Sequence, residues 1–499
     1  MLNPKLYEIN TRVWIKQFGE KAKFNSIPLK FFQNLSDLGI NIVWLMGIWK
    51  TCPSTIEKYC FEVDLISLYN KSLKDWTKND VIGSPFAVDI YEINPVLGTH
   101  KDLSELKNKL NNMGIKLFLD FIPNHFSADS TLIKTNPGIF LEADEEVMSK
   151  DPYTFFETIS KDINQKETKR IFAHGRDPLF PAWRDTVQIN FFKEEARDFL
   201  VEQLIKISGM SDGVRCDMAM LPLSNVFHNT WSGLLNRFGC EKPSVEFWKS
   251  AIEKVKAKSP EFIFMAESYW DLEWDLQQLG FDFTYDKRLT DRLAADQVQS
   301  VIDHLRADKS FQLKSVRFLE NHDEKRAAVK FGKQKSLAAA AVISTIQGMK
   351  FYFDGQFEGK KIKLPLQLGR EPIEKVSETK KSFYYKLLKI TNDEIFTYGE
   401  WNLLKPIPVS DKNYSYNNIF AWQWKLNNSY RIVAINYSDY SSQCRLKFQV
   451  NPSAENIAIF DLLNDQRYVR RTDEILDLGL FIELKAYNSH IFALEDLHS

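Results

Sequence analysis

Two acidic side chains and an arginine near the middle of the chain carry the clearest chemical signal. Arg215 and Asp217 lie two positions apart in GVRCD, residues 213–217, so on an extended strand both point to one side. An arginine beside an aspartate keeps the carboxylate ionised and fixes its direction, which suits a nucleophile. Glu267 follows the next apolar run, Phe262–Ala266. Neighbouring strands lie about 4.8 Å apart. Two strand-end carboxyls can therefore sit about 5 to 5.5 Å apart, the separation of a retaining glycosidase. That chemistry needs one acid protonated and one ionised. Glu267, set behind apolar residues with no adjacent arginine, is the candidate for the raised pKa.

Other polar groups collect in two further segments. One is DFIPNH, with Asp120, Asn124 and His125; the other is FLENHD, with Glu320, His322 and Asp323. Taken singly, each has a plain structural reading: an ion pair, a loop carboxylate, a histidine with satisfied hydrogen bonds. Asp120, Asp217 and Glu267 could also form an oxygen-ligand triad for a divalent cation, although Arg215 would then add a positive charge beside the metal. As one set on four strand ends, they point to catalysis.

The elements that must position them alternate regularly. Eight β-rich runs are legible: Leu6–Ile15, Asn41–Met46, Lys116–Ile122, Gly213–Asp217, Phe262–Glu267, Phe281–Asp286, Val316–Glu320 and Lys350–Asp354. Helical periodicity lies between them. Over Lys193–Ser208, Ala196, Phe199, Leu200, Leu204 and Ile207 recur at three- and four-residue steps. Leu103–Met113 repeats the pattern, and Gly39, Gly114 and Gly348 supply helix stops. Eight strand–helix units predict a closed parallel (β/α)8 barrel of the TIM type, whose chemistry sits where the strands end. An open doubly wound sheet is the alternative, but no GxGxxG follows the first strand. A polar, proline-containing stretch interrupts the alternation after the third strand and predicts an inserted domain over 127–185. Residues 1–126 and 186–394 then make the barrel. Beyond 395 the pattern turns to strands, with Phe420–Trp424 and Arg431–Asn436 flanking the turn residues Asn427–Asn428. A C-terminal β-sandwich over 395–499 is expected.

Composition narrows the function classes. With 44% apolar and 26% charged residues and a net charge of −1, the chain can bury a large core and shows no basic excess for nucleic-acid binding. Its longest apolar run, LAAAAVISTI at Leu337–Ile346, is too short to span a membrane. No secretory leader is visible at MLNPKLYEIN. The five cysteines, Cys52, Cys60, Cys216, Cys240 and Cys444, are odd in number and lack zinc-type spacing. A reduced, cytoplasmic protein is the expectation, with a Cys52–Cys60 bridge as the minor alternative.

The four motifs, in this order, resemble those of the α-amylase family of glycoside hydrolases and transglycosidases. DFIPNH at Asp120–His125, GVRCD at Gly213–Asp217, Glu267 in MAES and FLENHD at Phe318–Asp323 are similar to that family's four short motifs. GSPFAVDIYEINPVLGT (Gly83–Thr99), VQIN (Val187–Asn190) and FDGQFEG (Phe353–Gly359) resemble further segments. HGRDPLFPAWRDT, within Ala173–Leu221, looks like a little-characterised bacterial branch. The resemblance implies the same barrel, insert and C-terminal β-domain. It implies Asp217 as nucleophile, Glu267 as general acid and base, and Asp323 as stabiliser of the distorted sugar. Arg215 would orient Asp217, His125 and His322 would bond sugar hydroxyls, and Asp120 would support them.

Three departures stand out. Phe86 occupies the place of the family's usual stacking tyrosine, so stacking survives without the hydroxyl. The segment is one residue short before Asp89. Met218-Ala219-Met220-Leu221 follows Asp217 where many α-amylases carry a Lys-His pair. These departures count against structural calcium and long-starch cleavage, and no cofactor is expected. The expected activity is retaining hydrolysis of short α-glucans or a related α-glucoside. Transfer to a sugar or to phosphate at the same site is one alternative, and a non-catalytic barrel with a binding role is another. Trp14, Trp44, Trp49, Trp183, Trp270 and Trp274 are candidate sugar platforms, most of them expected to be core.

Overall fold

The computed structural model describes residues 1–161, 166–450 and 454–497. Residues 162–165, 451–453 and 498–499, which fall in the expected insert and C-terminal domain, lie outside it. Eight parallel strands close into a barrel: β1 Lys5–Asn10, β2 Ile42–Met46, β3 Lys116–Phe121, β4 Gly213–Cys216, β5 Ile263–Ala266, β6 Phe283–Tyr285, β7 Ser315–Arg317 and β8 Met349–Phe353. All eight expected runs supply a strand. The first is shorter than expected, because the chain turns helical at Thr11–Trp14 directly after β1. The apolar pattern of Val13 to Ile15 belongs to that turn, which is buried all round and so reads like a strand.

Alternate residues of each strand face inward. Leu6, Ile42, Phe118, Ile263, Phe283 and Phe351 belong to one buried cluster that fills the barrel. Register is tight where the site is built. Arg215 pairs with Asp120 on one side and Met265 on the other. Gly213 permits this approach, since a Cβ there would fall 2.4 Å from the Phe118 ring. Two of the expected helices appear as α1 His100–Asn112 and α2 Glu194–Met210. Thr99 caps α1, its hydroxyl accepting from the Asp102 N–H while the Asp102 carboxylate accepts from the Thr99 N–H. Gly348 takes φ +99° just before β8, where a Cβ would meet the Ser315 carbonyl at 2.3 Å.

After β3 the chain leaves the barrel. His125–Ser127 pairs antiparallel with Thr186–Gln188 and so ties the two ends of the insert together. Between them lies a small three-stranded sheet formed by Glu142–Ala143, Phe155–Lys161 and Glu167–Ala173. A third helix, α3 Lys335–Thr345, is buried along nearly its whole length. That is why its sequence is apolar without a face.

C-terminal to the barrel, a six-stranded and a three-stranded antiparallel sheet enclose a second core. Strands β9 Ile419–Leu426 and β10 Ser429–Asn436 form the expected hairpin, with Asn427 at φ +53° in its two-residue turn. The short helix Thr472–Leu478 has no counterpart in the sequence reading. Two turns leave too little periodicity to detect. All five cysteines are free thiols. Among the described residues no helix is long and apolar enough to cross a membrane.

Candidate active site

Arg215 is the centre of the rim. It points inward from β4 and is fully buried. Its guanidinium lies 5.2 Å from the Trp44 ring and 5.3 Å from the Phe86 ring. Two aromatic faces thus hold the cation in place. Its Nη1 donates to Asp217 Oδ1 at 2.5 Å and its Nη2 meets Glu267 Oε2 at 2.7 Å. Sequence reasoning paired Arg215 with Asp217 alone. The structure corrects this: the arginine also reaches Glu267, because β4 and β5 run in register, with the Glu267 N–H donating to the Cys216 carbonyl at 3.0 Å.

The two carboxyls therefore share one cation. Burial pushes Glu267 up, and Arg215 pulls it back only in part; the charges of Asp217 and Asp323 raise it further. Burial also raises Asp217, opposed by the Arg215 charge and hydrogen bond. Glu267 Oε2 accepts a second bond, from the Met218 N–H at 2.7 Å, and Oε1 accepts from the Tyr269 hydroxyl at 2.9 Å. Met218 adopts φ +41°, and Trp270 and Asp271 adopt φ +64° and +63°. Non-glycine residues in this region are strained, and here they flank both acids.

Asp323 faces the same space, with a side chain 43% exposed. Burial raises its pKa, but His322, 2.8 Å away through Nε2, outweighs this and holds Asp323 far below the usual carboxylate range. On its other side, His322 Nδ1 lies 2.5 Å from Glu8 Oε1. Burial lowers His322, yet Asp323 and Glu8 together lift it to about 10. The imidazolium thus lies between the Asp323 carboxylate and Glu8, which burial pushes up against the pull of His322. Glu8 was missed in the sequence, although a lone acid in the apolar run Leu6–Ile9 was the available signal.

The folded pKa of His322 lies above its ordinary 6.5. Its stabilising contribution is therefore complete below about pH 6.5 and is lost as pH climbs through about 10. Glu8→Gln is expected to cost about 3 kcal/mol at pH 7, as expected for breaking a buried pair. It should also shift the loss to lower pH. Urea unfolding between pH 6 and 10 checks both; an unchanged pH dependence would contradict the pairing.

The remaining expected residues fall around this core. Asp120 is buried and accepts from Trp44 Nε1 at 3.0 Å and the Gly47 N–H at 2.6 Å. Burial moves it to about 6 against the pull of Arg215. It supports the site from beneath. The Phe86 ring lies 5.3 Å from the His322 ring at 34°. His125 is buried on the insert side, 5.3 Å from the Trp183 ring. Burial drops it to about 3, so it is neutral. Of the six candidate tryptophans, Trp14, Trp44 and Trp49 are buried core, Trp183 packs against His125 and Trp274 is exposed, whereas Trp270 lines an open groove beside Tyr269. For a metal the donor set is poor: Asp120 is taken by N–H donors and Arg215 stands between the other two acids. Among the described residues, no group of three or more His, Cys, Asp or Glu side chains is placed to hold one.

The chain is similar to known proteins. The family model described as "Alpha amylase, catalytic domain" matches residues 30–401. Alpha-amylase 3 of Dictyoglomus thermophilum is 22% identical over 401 residues, covering 76% of this chain and 69% of that protein. The chain spans about half the length of two further curated α-amylases, 48% and 47%. Among solved structures, the noncanonic maltogenic α-amylase AmyB of Thermotoga neapolitana superposes with a TM-score of 0.68 at 19% identity, covering 99% of both chains. The α-amylase of Geobacillus thermoleovorans, solved in complex with acarbose, gives a TM-score of 0.65 at 14% identity, with 99% and 98% covered. The matched segment runs through most of the barrel and carries the carboxylate–arginine rim, and the chain belongs to the α-amylase family of glycoside hydrolases.

Proposed function

We propose that this protein is a retaining α-glycosidase acting on short α-glucans or a related α-glucoside. One observation carries the reading: a single buried guanidinium holds Asp217 and Glu267 side by side just past the ends of neighbouring strands, with Asp323 within electrostatic reach of both. Strand spacing of about 4.8 Å fits the close carboxyl pair of double displacement. In the first step Asp217 attacks the anomeric carbon as Glu267 gives its proton to the departing glycosidic oxygen. In the second, Glu267 takes a proton from water, the water oxygen bonds the anomeric carbon, and Asp217 is released. Asp323, kept ionised by His322, faces the positive charge that builds on the sugar. Arg215, Asp120, His125, His322 and Phe86 bind and frame that sugar. The reaction uses side chains alone, without metal or cofactor.

The shape of the cleft supports a short substrate. On the side of Asn10, His322 and Leu364 a cavity of about 30 Å³ remains. The loop over residues 360–366 closes that side, with Lys363 Nζ bonded to the Asp323 carbonyl. On the Glu267 side, where the leaving group must depart, a groove of about 850 Å³ runs past Met218, Tyr269, Trp270 and Phe180. A constricted side toward Leu364 and an open groove toward Trp270 favour a substrate whose bulk lies on the leaving-group side. The same width favours a second reading, in which another sugar or phosphate replaces water as acceptor.

Maltotriose labelled at its reducing end tests the reading, followed by proton NMR with and without phosphate and sugar acceptors. Unlabelled α-glucose as the first product is expected. A β-anomer would reject the paired-carboxylate mechanism, and early internal cleavage of longer chains would reject the closed end.

A further inference from the structure

The two oxygens of Glu267 are not equivalent. Oε2 receives the Met218 N–H at 2.7 Å and lies 2.7 Å from Arg215 Nη2 in an ion pair. A proton on Oε2 would face the Met218 N–H hydrogen to hydrogen and would sit against the guanidinium charge. A proton held by Glu267 therefore resides on Oε1. The partner of Oε1 is the Tyr269 hydroxyl at 2.9 Å, and a phenol can accept as well as donate.

We propose that Tyr269 is the positioning residue of the transferred proton, holding Oε1 as the proton-bearing edge of Glu267. The proposal rests on the glycosidase reading above and assigns a role which that reading leaves open. With the acid loaded, the phenol oxygen accepts from Oε1–H and turns that edge toward the groove. As the proton passes to the glycosidic oxygen, the phenol hydrogen rotates and donates to the carboxylate left behind. The bond is charge-assisted only after transfer, so it is stronger in the transition state than before it. Tyr269 itself stays protonated, since burial and the charges of Glu267 and Asp323 raise its pKa. Tyr269 also lines the groove beside Trp270, which places the loaded edge where a leaving group would lie.

Tyr269→Phe removes one oxygen and keeps the ring. Two substrates separate its role from a general loss of structure. Maltotriose has a leaving alcohol that needs the proton, whereas α-glucosyl fluoride loses fluoride without one. For the full-length variant, kcat/KM on maltotriose is expected to fall roughly 10- to 100-fold. On the fluoride it should fall by less than about threefold. Equal losses on both, or no loss on maltotriose, would overturn the proposal. A readout free of turnover stands beside it. Carbon-13 NMR, with the Glu267 carboxyl assigned from Glu267→Gln, should show that carboxyl titrating about one pH unit higher in Tyr269→Phe. An unmoved titration also overturns it. A wild-type chain inactive on every α-glucoside would sink the glycosidase reading, while the titration would still decide on Tyr269.

Discussion

Asp217→Asn is expected to lower kcat by about 10⁴-fold or more, because an amide cannot form the covalent ester that the first step requires. The size of the loss follows from the surroundings. Arg215 is fixed between two aromatic rings and cannot follow a new partner, so the 2.5 Å contact to Oδ1 is replaced by a neutral one. The substitution also removes a negative charge that raises Glu267. The proton donor should then titrate lower, and the residual activity should lose its basic limb at lower pH. Product release from maltotriose, with circular dichroism to confirm folding, measures both. Near-normal turnover would end the assignment of Asp217 as nucleophile.

Glu267→Gln should cost about 10² to 10⁴ in kcat/KM, the usual worth of a placed general acid. Its signature is the shape of the pH profile rather than the size of the loss. Burial raises both Glu267 and Asp217. For the native chain, activity should rise with pH as Asp217 ionises and decline as Glu267 gives up its proton. In Glu267→Gln the decline disappears and the rise remains. A variant that kept the full bell would show that another group supplies the proton.

Much of this arrangement is legible in the amino-acid sequence. The strand ends announced themselves because buried parallel strands are apolar runs, and a charged residue at the end of such a run is conspicuous. Asp120, Arg215, Asp217, Glu267 and His322 were all legible in that way. What escaped notice depends on three dimensions. Glu8 lies 314 positions from His322 and meets it only because β1 and β7 close the same ring with β8 between them. Arg215 was paired with Asp217 alone because a two-residue step is a local pattern, whereas its reach to Glu267 needs the register of two strands. Tyr269 gave no signal, since its role depends on which oxygen of Glu267 is already engaged. In the C-terminal part, alternation in β9 and β10 was clear. The helix over Thr472–Leu478 was too brief to leave a period.

The burial of α3 reaches beyond architecture. Trp424 Nε1 donates to the Thr345 carbonyl at 2.6 Å, and the Tyr437 hydroxyl donates to the Leu293 carbonyl at 2.9 Å. Trp424 lies on the C-terminal sheet and Tyr437 directly follows its strand β10, and both carbonyls belong to the barrel's outer shell. Water replaces such bonds at small cost, but the run beneath the sheet is apolar: Ala338 to Ile343 are all almost inaccessible. Severing the chain after residue 394 would bare a greasy stripe along one side of the catalytic half. The trailing sheets thus behave as a permanent cover rather than a detachable accessory, and an engineer who trims or swaps them must first resurface that helix with polar side chains.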